Sequence, residues 1–187
     1  MSTRLRIGRV LDLGAAGVMV PRLEVPAEAR DAVSFVRYQP EGVRGVALLT
    51  RGAELGRVGH GDTRAKSATL PLVVQIENPS AVDHAAEIAG IDGVDVLFVG
   101  PTDLSHSLGI PGEFANARYL EALRHVVAAA GAAGKEAGIL LRRIEDLERH
   151  VDLGFRFIGV GSDSAWIADG GTATAKAAAA QRGRLSS

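Results

Sequence analysis

Hydrophobic positions along the chain alternate between short apolar runs and longer stretches with a helical period. Each short run ends at a glycine, a proline or a polar residue, which is typical of buried strands. The predicted strands cover residues 17–20, 71–76, 95–99, 137–141 and 156–160. Because these strands are apolar on both faces and each is followed by a helical pattern, we expect a parallel sheet with helices outside it.

The helical patterns carry recognisable start and stop signals. Pro26 and Pro79 stand where a first helical residue is expected, and Gly154 stands where a helix should end. The predicted helices cover residues 7–13, 26–37, 79–89, 116–133, 143–153 and 164–180. Residues 39–69 show no clear period and contain six glycines, so we predict a long functional loop with at most a short helix near residues 53–55.

Two architectures fit five strand–helix units. One is a doubly wound sheet, and the other is part of an eight-stranded (β/α)8 barrel of the TIM type. A complete barrel takes about 250 residues, so a chain of 187 residues is two or three units short of one. No repeat or linker suggests a second domain, and we expect a single domain over residues 1–187.

The composition narrows the class of protein. A formal net charge of -1 at pH 7 gives no electrostatic reason to expect nucleic acid or an anionic membrane as a partner. The absence of cysteine excludes disulfides and thiolate chemistry and fits a reducing cytoplasm. No apolar run approaches the roughly 20 residues that a membrane span needs, and no signal peptide is evident. We therefore expect a cytoplasmic protein.

Two carboxylates follow neighbouring predicted strands. Glu77 ends one apolar run, and Asp103 follows the run that ends at Val99. Parallel strands bring such residues to one edge of the sheet, where two carboxylates, water and a chelating substrate can complete the shell of Mg²⁺ or Mn²⁺. Such an ion polarises a carbonyl and stabilises an enolate. The alternative is a purely structural role for both carboxylates at the strand ends. Gln75 lies on the same strand face as Glu77 and makes this alternative less favoured.

Two further segments contain groups that could bind an anion. Gly100 and Pro101 form a tight strand exit, and the amides that follow can point at a substrate carboxylate. The long loop carries several cations that could hold a second carboxylate at an active-site mouth. They are Arg44, Arg51, Arg57, Arg64 and Lys66. For most of them a solvated surface is the alternative.

The five histidines show no metal-ligand spacing. His84, His125 and His150 fall on helical patterns, and we expect them on the surface. His106 lies close to Asp103 in sequence and could approach the site.

Several segments together resemble the HpcH/HpaI aldolase family. They are Val18–Pro21, Arg37–Gly45, Val74–Glu77, Val99–Ser105, Gly134–Leu140 and Val160–Asp163. They occur in the family's order, from about Gly8 to Ala179. The family's members are metal-dependent class II aldolases on a (β/α)8 barrel, which cleave or form 4-hydroxy-2-oxoacids through a pyruvate enolate. The resemblance therefore implies a partial barrel whose five strands correspond to strands four to eight.

The resemblance also implies roles for particular residues. Glu77 and Asp103 match the family's two metal-binding carboxylates, for Mg²⁺, Mn²⁺ or Co²⁺. Gln75 matches a residue that lines the pyruvate pocket. The backbone amides of Thr102 and Asp103 would hold the pyruvate carboxylate.

Two further residues are expected to take part in catalysis, one of them from the resemblance. Asp12 matches an acidic residue that helps to orient the family's catalytic histidine across the site or a subunit contact. We place Arg44, from the loop that could hold a second carboxylate, beside it as a second catalytic residue. With Gly100 and Pro101 at the strand exit, these residues complete the expected site.

One part of the family's pattern is missing. The family's general-base histidine and its substrate-polarising arginine belong to strands that precede the first residue of this chain, and residues 48–53 also depart from the family. Either the true start lies upstream, or the chain is a decayed remnant, or a partner chain completes the barrel.

Three functions stay open at this point. The first is retro-aldol cleavage of a 4-hydroxy-2-oxoacid to pyruvate and an aldehyde. The second is cleavage of a CoA thioester, as in citrate lyase β subunits. The third is a truncated barrel that binds metal and oxoacid without turnover. We also expect a homo-oligomer, both from the family and from the alanine-rich last helix.

Overall fold

The computed structural model describes the backbone of residues 3–185 and the side chains of residues 3–182. Five strands form one parallel sheet: β1 (Val18–Val20), β2 (Leu72–Ile76), β3 (Val96–Val99), β4 (Glu136–Leu141) and β5 (Phe157–Val160). Their spatial order is their order along the chain. A doubly wound sheet would reverse direction at a switch point. The sheet instead curls into a half-barrel, so the predicted partial α/β barrel is confirmed.

Helices lie before, between and after the strands of this sheet. They are α1 (Thr3–Asp12), α2 (Pro26–Val36), α3 (His60–Ala68), α4 (Pro79–Asp83), α5 (Ala85–Ala89), α6 (Pro101–Ser107), α7 (Ala117–Ala132), α8 (Leu147–Leu153) and α9 (Asp163–Leu185), with 3₁₀ turns at Arg51–Gly56 and Ile144–Asp146. The predicted starts at Pro26 and Pro79 and the predicted end at Gly154 are confirmed. The helix predicted over 79–89 is broken at His84 into α4 and α5.

The main core lies between the sheet and its helices. Alternate strand residues point outward from the half-barrel and are fully buried, among them Val74, Leu97 and Ile139. They belong to one cluster with helix residues such as Ile88 and Leu123. This packing fixes the strands side by side and therefore fixes which residues meet at the strand ends.

The inner face of the half-barrel is also apolar. Val73, Val96 and Phe98 form a small second cluster on it, and the Phe98 ring meets the Phe157 ring edge-on, with 6.1 Å between the centroids. A Cβ on Gly138 would lie 2.6 Å from the Phe98 ring, so glycine makes room for this aromatic pair. The inner face thus forms an apolar floor that leads toward the strand ends.

The long loop predicted over residues 39–69 is partly wrong. The segment contains a 3₁₀ turn and the nine-residue helix α3. The buried residues of α3 are Thr63 and Ser67, four positions apart. The buried face of this helix is therefore polar, whereas the buried face of a surface helix is normally apolar. The buried guanidinium of Arg37 donates to the backbone oxygens of Ser67 and Leu70 and anchors this segment.

The surface position predicted for His150 is also wrong. The residue is buried, its Nδ1 lies 2.7 Å from the backbone oxygen of Asp146, and its ring lies 5.9 Å from the ring of Phe155. The left-handed turn at Gly154 brings the fully buried Phe155 back against α8, which covers the histidine. Among residues 3–185, no helix is both long and apolar enough to cross a membrane.

The sheet–helix core predicts the effect of truncating one strand residue. Leu97→Ala should lower the free energy of unfolding by about 2–5 kcal/mol, because it leaves a cavity in a fully buried position. Urea denaturation measures the change. Leu49→Ala, at a position that is 84% exposed, is the control and should stay within about 0.5 kcal/mol of the parent. Equal losses in both variants would contradict this assignment of the core.

Candidate metal and substrate site

The carboxyl ends of β2 and β3 bring Glu77 and Gly100 face to face. Ile76 and Val99 are the last paired residues of the two strands, and the Gly100 amide donates to the Ile76 oxygen at 3.3 Å. The next residues along the two strands, Glu77 and Gly100, therefore lie opposite each other. A Cβ on Gly100 would lie 2.7 Å from Glu77 Oε1 and 2.9 Å from its Cγ. The Glu77 side chain occupies space that only glycine leaves free.

Glu77 is buried, with 7% of its surface exposed. The backbone amide of Arg22, in the loop after β1, donates to Glu77 Oε2 at 3.1 Å. The contribution of Arg22 could not be predicted from the sequence, because a backbone amide that binds a side chain from a neighbouring loop leaves no signal in residue type or spacing.

The electrostatic environment of Glu77 disfavours its negative charge. Burial raises the pKa of the Glu77 carboxyl, and the nearby charge of Asp103 acts in the same direction. The amide and the guanidinium of Arg22 oppose this rise in pKa without cancelling it. A buried carboxylate beside a second carboxylate gains most from a bound cation.

Asp103 lies in the first turn of α6 and is exposed. A loop was expected here, but α6 begins at Pro101, directly after Gly100. The first amides of a helix have no acceptor within the helix, so Thr102 and Asp103 can offer theirs to an anion. The turn is braced by the buried Ser105, whose hydroxyl donates to the Thr102 oxygen at 2.9 Å and accepts from the Gly112 amide at 3.1 Å.

Gln75 lies on the same face of β2 as Glu77, two residues earlier. It is half-buried and paired in register with Phe98 of the inner apolar cluster. Its amide therefore lies between the apolar floor and the carboxylates. The structure thus brings together the predicted residues of β2, the strand exit at Gly100 and the start of α6.

Asp12 and Arg44 lie elsewhere. They form an ion pair at 2.8 Å, and the buried Arg44 guanidinium lies 4.7 Å from the centre of the Tyr38 ring. Asp12 ends α1 just before β1 begins. The Arg44 amide donates to the oxygen of Arg37, whose side chain binds the segment that leads into β2. The pair therefore lies near the amino ends of the strands, opposite the edge with Glu77, and its role in catalysis stays a prediction.

A cavity of about 850 Å³ adjoins this ion pair, between α1, α2 and the 3₁₀ turn at Arg51–Gly56. Arg44 and Arg51 line it, and Glu77 and Asp103 do not. Two other cations of the same segment form exposed ion pairs on the surface, Arg64 with Glu41 and Lys66 with Glu54. For those two, the solvated alternative fits.

The donor set fits a hard divalent cation that also binds a substrate. Among the residues that the structure describes, no group of three or more histidine, cysteine, aspartate or glutamate side chains could enclose a metal. The candidate ligands are the two carboxylates of Glu77 and Asp103. Mg²⁺ is commonly held in this way, by one or two carboxylates together with water and substrate oxygens.

Comparisons with a family model and with known proteins point to the same family. Residues 2–169 match the model of a family described as HpcH/HpaI aldolase/citrate lyase. A hydroxypyruvate/pyruvate aldolase of Delftia acidovorans is 46% identical over 158 residues, which are 84% of this chain and 58% of that protein. A 5-keto-4-deoxy-D-glucarate aldolase of Klebsiella pneumoniae is 40% identical over 158 residues. The chain thus spans about six tenths of the length of these relatives, 58% and 61%.

Solved structures share the fold. A HpcH/HpaI aldolase/citrate lyase family protein from Burkholderia cenocepacia superimposes with a TM-score of 0.86 at 34% identity, over 96% of this chain and 70% of that one. A HpcH/HpaI aldolase from Desulfitobacterium hafniense gives a TM-score of 0.85 at 27% identity, over 97% of this chain and 70% of that one. The half-barrel therefore corresponds to part of a longer fold.

The raised pKa of Glu77 predicts a stability that depends on pH. Because the folded state resists ionisation of Glu77, the metal-free protein loses stability as the pH rises from the ordinary carboxyl value through the raised one. Glu77→Gln should therefore raise the melting temperature at neutral pH, and the gain should vanish below about pH 4. Thermal unfolding in EDTA at several pH values measures it.

The exposed Glu121→Gln on α7 is the control for this experiment and should leave the melting temperature unchanged at every pH. A Glu77→Gln variant that is less stable than the parent at neutral pH, or a gain that does not vary with pH, would contradict the burial of a charged Glu77.

Proposed function

The chain belongs to the HpcH/HpaI aldolase/citrate lyase family, and we propose that it is a divalent-metal-dependent carbon–carbon lyase that cleaves a 4-hydroxy-2-oxoacid to pyruvate and an aldehyde. The observation that carries the proposal is the buried Glu77 beside Asp103 at the carboxyl edge of the sheet. Active sites of α/β barrels form at this edge. The names of the two aldolase relatives support the same class of reaction.

Four of the predicted residues at this edge of the sheet each have a task in this proposal. Glu77 and Asp103 hold the cation, and the first amides of α6, those of Thr102 and Asp103, bind the carboxylate of the oxoacid. Gln75 orients the keto end of the substrate, while the apolar floor around Phe98 accepts the methyl group of pyruvate and excludes water. When bound, a divalent cation supplies Lewis-acid stabilisation of the pyruvate enolate.

Oxygen ligands of this kind suit Mg²⁺, Mn²⁺ and Co²⁺ alike. Selection among the three ions would depend on the open coordination positions, which water and substrate fill. We propose Mg²⁺ or Mn²⁺ as the working ion.

The proton of the 4-hydroxyl group needs an acceptor. Among the described residues, His106 of α6 is the histidine closest in sequence to Asp103, and it is exposed. We propose that a water molecule, or a group outside residues 3–182, takes this proton and that a proton is returned to C3 of the enolate to give pyruvate. If neither does so, the site binds metal and oxoacid without turnover, and an assay of pyruvate release would detect no product.

The last helix supports a homo-oligomer. Trp166 and Ile167 of α9 are 64% and 75% exposed, and every residue from 166 to 182 is exposed within this one chain. An alanine-rich helix with large apolar side chains in water gains stability by packing against another surface. We propose that α9 packs against a second copy of this protein.

Loss of either carboxylate should weaken metal binding and abolish turnover. Glu77→Gln and Asp103→Asn should weaken Mn²⁺ binding at least about tenfold and reduce pyruvate release to background, because each removes one of two protein ligands. Isothermal titration measures the binding, and a lactate-dehydrogenase-coupled assay measures pyruvate from a panel of 4-hydroxy-2-oxoacids.

Glu121→Gln and Asp152→Asn, both at exposed positions, are the matched controls and should behave as the parent. Unchanged pyruvate release in both site variants would contradict the proposal. Mn²⁺ and oxalate binding without any pyruvate would identify a binding module, and preferential cleavage of a CoA thioester would identify the citrate-lyase type of reaction.

The exposure of α9 predicts the mass of the particle in solution. Trp166→Glu combined with Ile167→Glu should convert an oligomer into a smaller species, because two charges replace the apolar contact. Light scattering after size exclusion measures the mass, with Ala132→Glu at the exposed end of α7 as the control. A monomeric parent protein would contradict the proposed assembly.

A further inference from the structure

We propose that the backbone amide of Arg22 is a positioning group, which selects the oxygen of Glu77 that faces the metal. Oε2 is engaged by the amide at 3.1 Å, and Oε1 lies over Gly100, at the start of α6. Oε1 is therefore the oxygen left free for a cation shared with Asp103. The inference rests on the proposed function, since it takes Glu77 to be a metal ligand.

The conformation of Arg22 is unusual for its residue type. Its φ angle is 60°, in the left-handed region that residues other than glycine and asparagine rarely enter. A residue keeps such a conformation only where the surrounding structure imposes it.

Two side chains at the start of α4 hold the segment after Arg22. Asn78 Nδ2 donates to the Leu23 oxygen at 3.1 Å, and the Ser80 hydroxyl donates to the Glu24 oxygen at 2.9 Å. Asn78 is itself fixed, because its Oδ1 caps α4 by accepting from the Ala81 amide at 2.8 Å. The loop after β1 is thus tied to the loop after β2, and Glu77 lies between them.

The start of α2 holds the same segment from its other side. The Glu28 carboxylate accepts from the amide of Glu24 at 2.7 Å and from that of Val25 at 3.3 Å. Residues 23–25 are thus held on both sides, and Arg22 joins them to β1 in the left-handed region. In this conformation the Arg22 amide donates to Glu77.

Glu77 is consequently restrained on two sides. Rotating its carboxylate would break the hydrogen bond to the Arg22 amide, and shifting its Cγ would lose the space that Gly100 provides. A ligand held in its binding orientation loses less conformational freedom when the metal arrives. Outer partners of this kind typically change metal affinity by about 10–100-fold when they are lost.

The amide, and not the guanidinium, performs this task, because the hydrogen bond comes from the backbone. Tolerance at position 22 should therefore follow the ability of a residue to adopt positive φ. Glycine and asparagine adopt it readily, whereas a β-branched side chain opposes it.

The test compares Mn²⁺ binding by isothermal titration in the whole chain, without substrate. Arg22→Gly and Arg22→Asn should bind Mn²⁺ within about threefold of the parent, and Arg22→Val should bind at least about tenfold more weakly. Arg30→Val, at an exposed position of α2, is the control and should bind as the parent. Rescue by glycine or asparagine separates backbone conformation from side-chain charge.

A second variant tests the other restraint independently of position 22. Gly100→Ala should weaken Mn²⁺ binding at least about tenfold, while Gly131→Ala, where a Cβ meets no atom within 4 Å, should not. Parent-like binding by Gly100→Ala would overturn the restraint on Glu77 that the inference requires. If Arg22→Val does not fold, binding by Arg22→Gly or Arg22→Asn outside the threefold limit would overturn the role of the amide.

The outcomes distinguish this inference from the proposed function. Binding that is lost in Glu77→Gln but kept in Arg22→Val overturns the role of the Arg22 amide alone. Binding that is equally weak in Arg22→Gly and Arg22→Val also overturns it, because the side chain would then be required. Absence of Mn²⁺ binding in the parent protein overturns the proposed function and this inference together.

Discussion

The close approach of Glu77 to Gly100 is the constraint on which the candidate site depends. It follows from the sheet, because β2 and β3 pair in register up to Ile76 and Val99 and place the next two residues opposite each other. Those two strand residues are fully buried against the helices, so the register cannot slip without exposing them. A single missing Cβ then leaves room for a buried carboxylate.

The two faces of the sheet have different structural roles. The outer face forms the core that holds the strands in place, and the inner face forms an apolar floor that ends at Gln75 and Glu77. The loops at the carboxyl edge add backbone amides to the candidate site. The loop after β1 contributes an amide to Glu77, and the loop after β3 contributes the first turn of α6. The geometry of the candidate site therefore depends on contacts between loops that the sheet positions.

The strands, the class of fold and the carboxylate pair could be predicted from the sequence, because continuous apolar runs and polar strand ends leave clear local patterns. Helix α3 could not, since its buried residues are polar, and α6 is too short to show a period. The location of Asp12 and Arg44 near the amino ends of the strands could not be predicted from the sequence either. A family resemblance assigns a role to a residue but does not say at which edge of the sheet its side chain lies.

Arg22 shows most clearly what a sequence conceals. An arginine at positive φ has no compositional signature, and its contribution to Glu77 comes from a backbone group that every residue except proline carries. The segment after it is held by hydrogen bonds from Asn78, Ser80 and Glu28, which lie 6 to 58 residues from Arg22 along the chain. Two of these residues follow β2, and the third lies in α2. Such an arrangement becomes visible only in three dimensions.

Anomalous diffraction from crystals grown with Mn²⁺ tests the central claim most directly. The account predicts one strong peak between Glu77 Oε1 and the Asp103 carboxylate, with Glu77 Oε2 still bound to the Arg22 amide. A peak at any other position, or crystals that bind no Mn²⁺ although both carboxylates are ordered, would contradict it.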